Sequence, residues 1–252
     1  MLKYKTSLLL LLVSVLILNV LQFFVPISFW VYLIVISSYL VLAAYGSFRI
    51  ESNFYFPVIC SAKTEKKEIS ISFDDGPSPE ITSKVLDILK TNEINATFFV
   101  IGKNIEGNED ILERIHKEGH IIGNHTYSHS YFFDLYAPKK MGLEFSKTNE
   151  IIEKITNTET RYFRPPYGVT NPLLRSALMK FKFIVIGWSV RSLDGIKNNT
   201  SKIIKRVTSN LKPGDIVLFH DNYPEIETVL NEFITFTKNN GFKIVSLNNL
   251  LK

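Results

Sequence analysis

Charge is missing from the first fifth of the chain, where residues 6–48 contain no Asp, Glu, Lys or Arg. The stretch is dominated by Leu, Val, Ile, Phe and Tyr, the composition of membrane-seeking sequence. As one straight helix at about 1.5 Å per residue it would span roughly twice a hydrocarbon core of about 30 Å. It must therefore bend, and Pro26-Ile27-Ser28 is the obvious place. Two spans are expected, over about 6–25 and 28–48. A signal peptide followed by a buried helix fits less well, because the first apolar run exceeds a usual h-region and no small-x-small cleavage site follows promptly. Cysteine is almost absent. Cys60 stands alone, which excludes an intrachain disulfide and a cysteine-based zinc cluster. No basic run alternates with aromatics, so the net charge of +5 carries no nucleic-acid signature and is better read as solubility or attraction to anionic membrane lipid. There is no internal repeat, and no low-complexity segment beyond the apolar one.

These absences divide the chain into a membrane anchor (1–49), a connector (50–67) and a soluble domain (68–252). In the domain, apolar runs alternate with helical periodicities. Strands are expected over 69–73, 96–101, 120–123, 161–164, 182–188, 215–220 and 242–246. Helices are expected after Pro79, around 111–115, and over 139–155, 172–181, 202–211 and 225–238. Such a succession argues for parallel strands with right-handed crossovers, closed or nearly closed as a barrel.

Chemistry-bearing residues fall after the strands. Asp74 and Asp75 close the first one, in Ser72-Phe73-Asp74-Asp75-Gly76-Pro77; a solvated turn is the plain alternative. His125 and His129 are four apart, a spacing that would bring both rings to one side of a helical turn and suit a metal, against the alternative of two exposed loop histidines. An Asp with two His leaves coordination positions open for water, the pattern of a catalytic site. The clusters Arg164 to Gly168, Trp188 to Asp194 and His220-Asp221 complete a set that one barrel rim would gather.

In this order the motifs Ser-Phe-Asp-Asp-Gly-Pro, His-Thr-x-x-His, Arg-Pro-Pro-Tyr-Gly, Trp-Ser-Val-x-Ser-Leu-Asp and Leu-Phe-His-Asp resemble the polysaccharide deacetylase family, the NodB-homology group of carbohydrate esterases (family 4). The resemblance runs from about Glu68 to the C-terminus. It implies an α/β fold, a distorted (β/α) barrel, here preceded by two transmembrane helices. It also implies metal-dependent removal of an N- or O-acetyl group from a sugar, with zinc, or else cobalt, nickel or manganese. By the same resemblance Asp75, His125 and His129 would hold the metal, and Asp74 would be the general base, oriented by Arg164. The backbone N–H of Tyr167 would help stabilise the oxyanion, and His220 would be the general acid. Pro165, Trp188, Arg191, Asp194 and Leu218 would shape the substrate pocket, Leu218 lining the place of the acetyl methyl group.

One departure stands out. Where many members carry an Asp that hydrogen-bonds the catalytic histidine this chain has Arg191, and where a Trp often ends that motif it has Gly195. A cation beside His220 would lower its pKa, so either another acid, Asp194 or Asp221, supports His220 or the acid step is tuned differently. A haloacid-dehalogenase-type phosphatase, which needs Asp-x-Asp, does not fit the adjacent pair. A degenerate sugar-binding module is the non-enzymatic alternative, and the intact ligands and base count against it. Most relatives act outside the cell, yet Lys3, Lys5, Arg49, Lys63, Lys66 and Lys67 flank the two spans on one side. The positive-inside rule then puts the domain on the cytoplasmic face, working on a lipid-linked or cytosolic acylated sugar.

Overall fold

The computed structural model describes residues 3–195 and 199–252. The apolar stretch folds as a hairpin of two helices, α1 (Tyr4–Leu21) and α2 (Phe29–Phe48), each long and apolar enough to cross a membrane and each with almost no buried residue. The first helix stops short of the expected Val25. Pro26 disfavours helical backbone at the residue before it, and Gln22 Oε1 instead accepts a hydrogen bond from Ile27 N at 2.8 Å. Ser28 caps the second helix by accepting from Trp30 N.

In chain order the domain then contains β1 (Glu68–Asp74), α3 (Pro79–Thr91), β2 (Thr97–Val100), α4 (Gly102–Ile105), α5 (Glu109–Lys117), β3 (Ile121–Asn124), α6 (Pro138–Thr156), β4 (Tyr162–Phe163), α7 (Pro172–Leu178), β5 (Ile184–Val185), β6 (Val190–Arg191), α8 (Thr200–Thr208), β7 (Ile216–His220), α9 (Ile226–Asn239), β8 (Lys243–Ile244) and α10 (Leu247–Leu250). All strand pairs are parallel, in the order β5-β4-β3-β2-β1-β7-β6, with β8 also against β1. This curled sheet with helices outside is the distorted (β/α) barrel expected.

The alternation of β1 decides what each face can do. Ile69, Ile71 and Phe73 point to the helices and join a core with Val85, Leu86, Leu112, Val229 and Phe233, while Phe73 stacks between Phe98 and Phe219. Each such side chain contributes about 1.5–3 kcal/mol by leaving water. Ser72 and Asp74 point the other way, into the barrel, where small polar side chains leave room for the Arg164 guanidinium. Register sets Asp74 opposite His220 on one side and Phe99 on the other, so the carboxyl ends of β1 and β7 share one rim.

Two expectations change. The strand over 182–188 is paired with β4 only at Ile184–Val185, because the Ile186 and Gly187 carbonyls accept hydrogen bonds from the Arg164 guanidinium. The segment read as a connector is, in part, integral to the fold. Ile50, Phe54, Tyr55 and Val58 are buried, and Ile59 and Ser61 form bridges to Ile186 and Asp215. Residues 59–61 thereby span the open seam between β5 and the start of β7.

The hairpin is bonded to this body. Tyr4 N donates to Phe54 O, and Thr170 donates from N to Ser47 O and from Oγ1 to Gly46 O, all at 3.0 Å.

Candidate active site

Asp74 is buried at the end of β1, and the next residue leaves the strand with a left-handed backbone (Asp75, φ 77°). Asn104 Nδ2 donates to the Asp75 carbonyl at 2.7 Å and Asn222 Nδ2 to its Oδ2 at 3.3 Å, so the Asp75 carboxylate is held toward the two histidines. Its Oδ1 lies 3.6 Å from His125 Nε2 and 3.4 Å from His129 Nε2.

The histidines meet, although not on a helical turn. Residues 125–132 form a loop in which Thr126 and His129 have positive φ, and the two ring centroids are 4.8 Å apart. Side chains from elsewhere hold that loop. Asn124 Oδ1 accepts from Thr126 N, while Glu144 Oε2, on α6, accepts from Tyr127 N, Ser128 N and Ser128 Oγ. His125 Nδ1 donates to Arg164 O at 2.7 Å, a contact that leaves the Nε2 lone pair facing Asp75. Burial, then the neighbouring His129, pushes the His125 pKa down to about 3 and keeps its ring neutral. One carboxylate oxygen and two imidazole nitrogens therefore converge, all within 4.8 Å of one another. Two imidazoles and a carboxylate suit zinc or a similar divalent ion.

Arg164 is fully buried and pairs with Asp74: Nη1 donates to Asp74 Oδ1 at 2.7 Å and to Ser72 Oγ at 2.8 Å. The guanidinium also lies 4.1 Å from the Phe99 ring centroid and 5.7 Å from that of Trp188. Burial depresses its pKa and Asp74 opposes that shift. Removing either member of such a buried pair costs about 3–5 kcal/mol, because the other charge is left unpaired. After Arg164, Pro165 leads into a 3-10 turn (Pro166–Gly168) that presents Tyr167 at φ 57°. Gly168 is required there, since a Cβ at its φ of 72° would run into the Trp188 ring.

On the opposite side His220 Nδ1 contacts Asp194 Oδ1 at 2.6 Å, and its backbone N donates to Asp194 Oδ2 at 2.9 Å. The expectation that Arg191 lowers the His220 pKa is corrected here. Burial does lower it, but the Asp194 hydrogen bond and charge, with Asp74 and Asp75, carry it to about 9. Arg191 is exposed, its guanidinium 5.3 Å from the Trp188 ring centroid, and Asp194 occupies the supporting position. Asp221 does not support the ring. It is buried against Gly76 and accepts from Thr82 Oγ1 at 2.6 Å.

The pH consequence has a definite sign. An acid works only while protonated, so activity should fall as pH rises through the His220 pKa, near 9. Asp194→Asn should move that alkaline limb down by about 2 pH units, since the ring keeps its burial and loses its carboxylate. Arg191→Asp should leave the limb nearly in place. A pH–rate profile of the three proteins checks this, and coincident curves for wild type and Asp194→Asn would remove Asp194 from the role.

The triad, Asp74 and His220 border one cleft of about 410 Å³, lined by Asp74, Asp75, His125, His129, Tyr131, Tyr167, Gly168, Trp188, Arg191, Leu193, Gly195, Leu218, His220 and Asn222. Of the residues expected to shape the pocket, Trp188, Arg191 and Leu218 line it. Pro165 and Asp194 do not. Pro165 is buried in the turn and Asp194 stands behind His220.

Residues 61–186 match the profile of the family described as polysaccharide deacetylase. The chain is 34% identical over 192 residues to a peptidoglycan-N-acetylglucosamine deacetylase of Bacillus cereus, with 74% of this chain and 69% of that protein covered. It is 35% identical over 185 residues to the peptidoglycan-N-acetylmuramic acid deacetylase PdaC of Bacillus subtilis, covering 73% of this chain and 39% of that longer protein. The crystal structure of a peptidoglycan N-acetylglucosamine deacetylase superposes with a TM-score of 0.71 at 32% identity, covering 77% of this chain and 92% of the other. The chain belongs to the polysaccharide deacetylase family.

Its similarity to these peptidoglycan deacetylases places it among the hydrolases acting on non-peptide carbon–nitrogen bonds. Within this deacetylase, sequence reasoning found Asp74, Asp75, His125, His129, Arg164, Tyr167, Trp188, Arg191, Asp194, Leu218 and His220 at the cleft or bonded to it. It missed Asn104, Asn222 and Glu144, which brace the site from α4, the loop after β7 and α6. It also missed Tyr131, whose ring is stacked 5.8 Å from that of Tyr167 at the mouth. Asn104, Asn222 and Glu144 sit in polar stretches where nothing marks them.

Proposed function

We propose that this polysaccharide deacetylase is membrane-anchored and metal-dependent, and that it hydrolyses the N-acetyl groups of a cell-envelope glycan or a lipid-linked sugar. The observation that carries the reading is a single cleft in which the Asp75–His125–His129 triad faces Asp74 on one side and His220 on the other. Asp75, His125 and His129 would hold a divalent ion, zinc by its liking for two imidazoles and a carboxylate. Bound there, the ion would polarise the acyl carbonyl and acidify the attacking water.

The chain's own residues supply the rest. Arg164 occupies Asp74 Oδ1 and leaves Oδ2, 3.8 Å from His125 Nε2, to take the proton of the attacking water. The Tyr167 N–H, on a turn fixed by two prolines, helps hold the developing oxyanion. His220, kept protonated by Asp194, gives a proton to the leaving sugar nitrogen. Leu218 presents an apolar wall to the acetyl methyl group, and the exposed Arg191 and half-buried Trp188 sit where flanking sugar would lie.

The decisive experiment is acetate release by the full-length protein from a panel of acetylated sugars, free and lipid-linked, before and after chelation. Loss on chelation and recovery with zinc are expected; release unaffected by a chelator would overturn metal dependence, and no release from any member would overturn the activity. The hairpin returns the chain to its starting side, bringing Lys3 and Lys5 to the same end as Arg49, which favours a cytoplasmic face for the domain. A fluorescent protein fused after Lys252 should glow; high alkaline phosphatase activity at that fusion point with a dark fluorescent fusion would put the domain outside.

A further inference from the structure

Beyond the apolar hairpin (residues 4–48), the large exposed apolar side chains among the described residues all fall between 131 and 179. They are Tyr131, Phe132, Leu135, Leu143, Tyr167, Leu173 and Met179. Phe132 and Leu135 are 68% and 75% exposed, on a short loop at the mouth of the cleft. Scattered surface leucines need no explanation, but a cluster of this kind marks a surface that something covers.

Covalent and hydrogen-bonded continuity says what covers it. The C-terminal end of α2 is bonded to Thr170 through the Ser47 and Gly46 carbonyls. The next residue, Asn171, donates from Nδ2 to Asp134 O at 2.8 Å, inside the loop that carries Phe132 and Leu135. Tyr131 of that loop stacks on Tyr167, which lines the cleft. The end of a span, the apolar loop and the mouth of the site are thus joined through three successive contacts. Cations stand at the foot of the hairpin, where Lys3, Lys5 and Arg175 border one groove. Aromatic and aliphatic side chains beside Lys and Arg are the composition that settles in the headgroup zone of a bilayer.

We propose that the loop carrying Phe132 and Leu135 is a membrane-docking surface, which dips into the headgroup zone beside the anchor and holds the mouth of the cleft at the bilayer. The proposal rests on the membrane-anchored reading above. It makes a glycan attached to the membrane the natural substrate, since its sugar would meet the site without leaving the surface.

The test uses full-length protein in vesicles of phosphatidylcholine and phosphatidylglycerol whose acyl chains carry bromine, a contact quencher. An environment-sensitive fluorophore is attached at Phe132→Cys, Leu135→Cys, Leu16→Cys in α1, and Lys90→Cys at the far end of α3. Cys60 is a poor competitor, because burial pushes its thiol up to about 11. Labels at 132 and 135 should be quenched to about half or more of the extent at 16, with the label at 90 unaffected. Quenching at 16 without quenching at 132 and 135 overturns the docking and leaves the anchor standing. No quenching at 16 overturns the anchor, and the docking with it.

Discussion

His129→Ala is expected to abolish hydrolysis while leaving the fold intact, and His125→Ala to abolish it with a further loss of stability. Both remove one of three ligand atoms, and two protein ligands do not retain a catalytic divalent ion. Even changes to outer-shell partners cost about 10–100-fold in metal affinity, so losing a ligand itself should exceed that range. The two variants differ in their surroundings. The His129 ring is partly exposed and packs against Tyr167, so its loss is absorbed at the cleft mouth. The His125 ring is buried and bonded to the Arg164 carbonyl, so its removal leaves an acceptor without its donor, at about 1–3 kcal/mol. Metal content by elemental analysis, acetate release and thermal unfolding check the three parts. A His129→Ala protein that keeps stoichiometric zinc and wild-type turnover would remove the triad from the mechanism.

The legible parts of this protein were those written as local pattern. The alternation Ile69-Ser70-Ile71-Ser72-Phe73 gave β1 and its two faces, and helical spacing gave α3, α6, α8 and α9 to within a few residues at most ends. The site residues were legible because they follow strands, and parallel strands deliver their carboxyl ends to one rim. What stayed hidden depends on contacts between distant segments. Residues 50–67 read as a connector because their sequence is short and mixed, whereas Phe54 and Val58 become buried only against the domain and Ile59 pairs only because β5 ends a sheet with a free edge. The His125–His129 spacing suggested a helical turn. The loop that replaces it depends on Glu144, which is 15 residues further on and supplies a carboxylate to three donors there.

The question of Arg191 shows the same limit from another side. Position in the motif suggested a cation next to the acid, and on that basis a lowered His220 pKa. Side-chain direction decides otherwise: alternate residues of a strand face opposite ways, and Arg191 on β6 extends along Trp188 while Asp194, three residues later, turns back under the imidazole. Ser192 Oγ and Gly195 N both donate to Asp194 Oδ1, which fixes the carboxylate in that place. The support expected at 191 is therefore supplied from 194, within the same motif.

Asp74→Asn should separate the base from the metal site. The amide is nearly isosteric with the carboxylate, and its Oδ1 can still accept from Arg164 Nη1, so side-chain placement is retained. None of the three ligand atoms belongs to Asp74, so zinc should remain bound. An amide cannot take a proton from the attacking water, and the rate should fall by about 10²–10⁴-fold, the scale of lost general-base catalysis. The buried Arg164 also loses its counter-charge, which should lower stability by up to about 3–5 kcal/mol. Thermal unfolding distinguishes that cost from the catalytic one, because a folded, zinc-loaded variant at the assay temperature reports only the missing base. Near-wild-type turnover in such a preparation would mean that another group takes the proton.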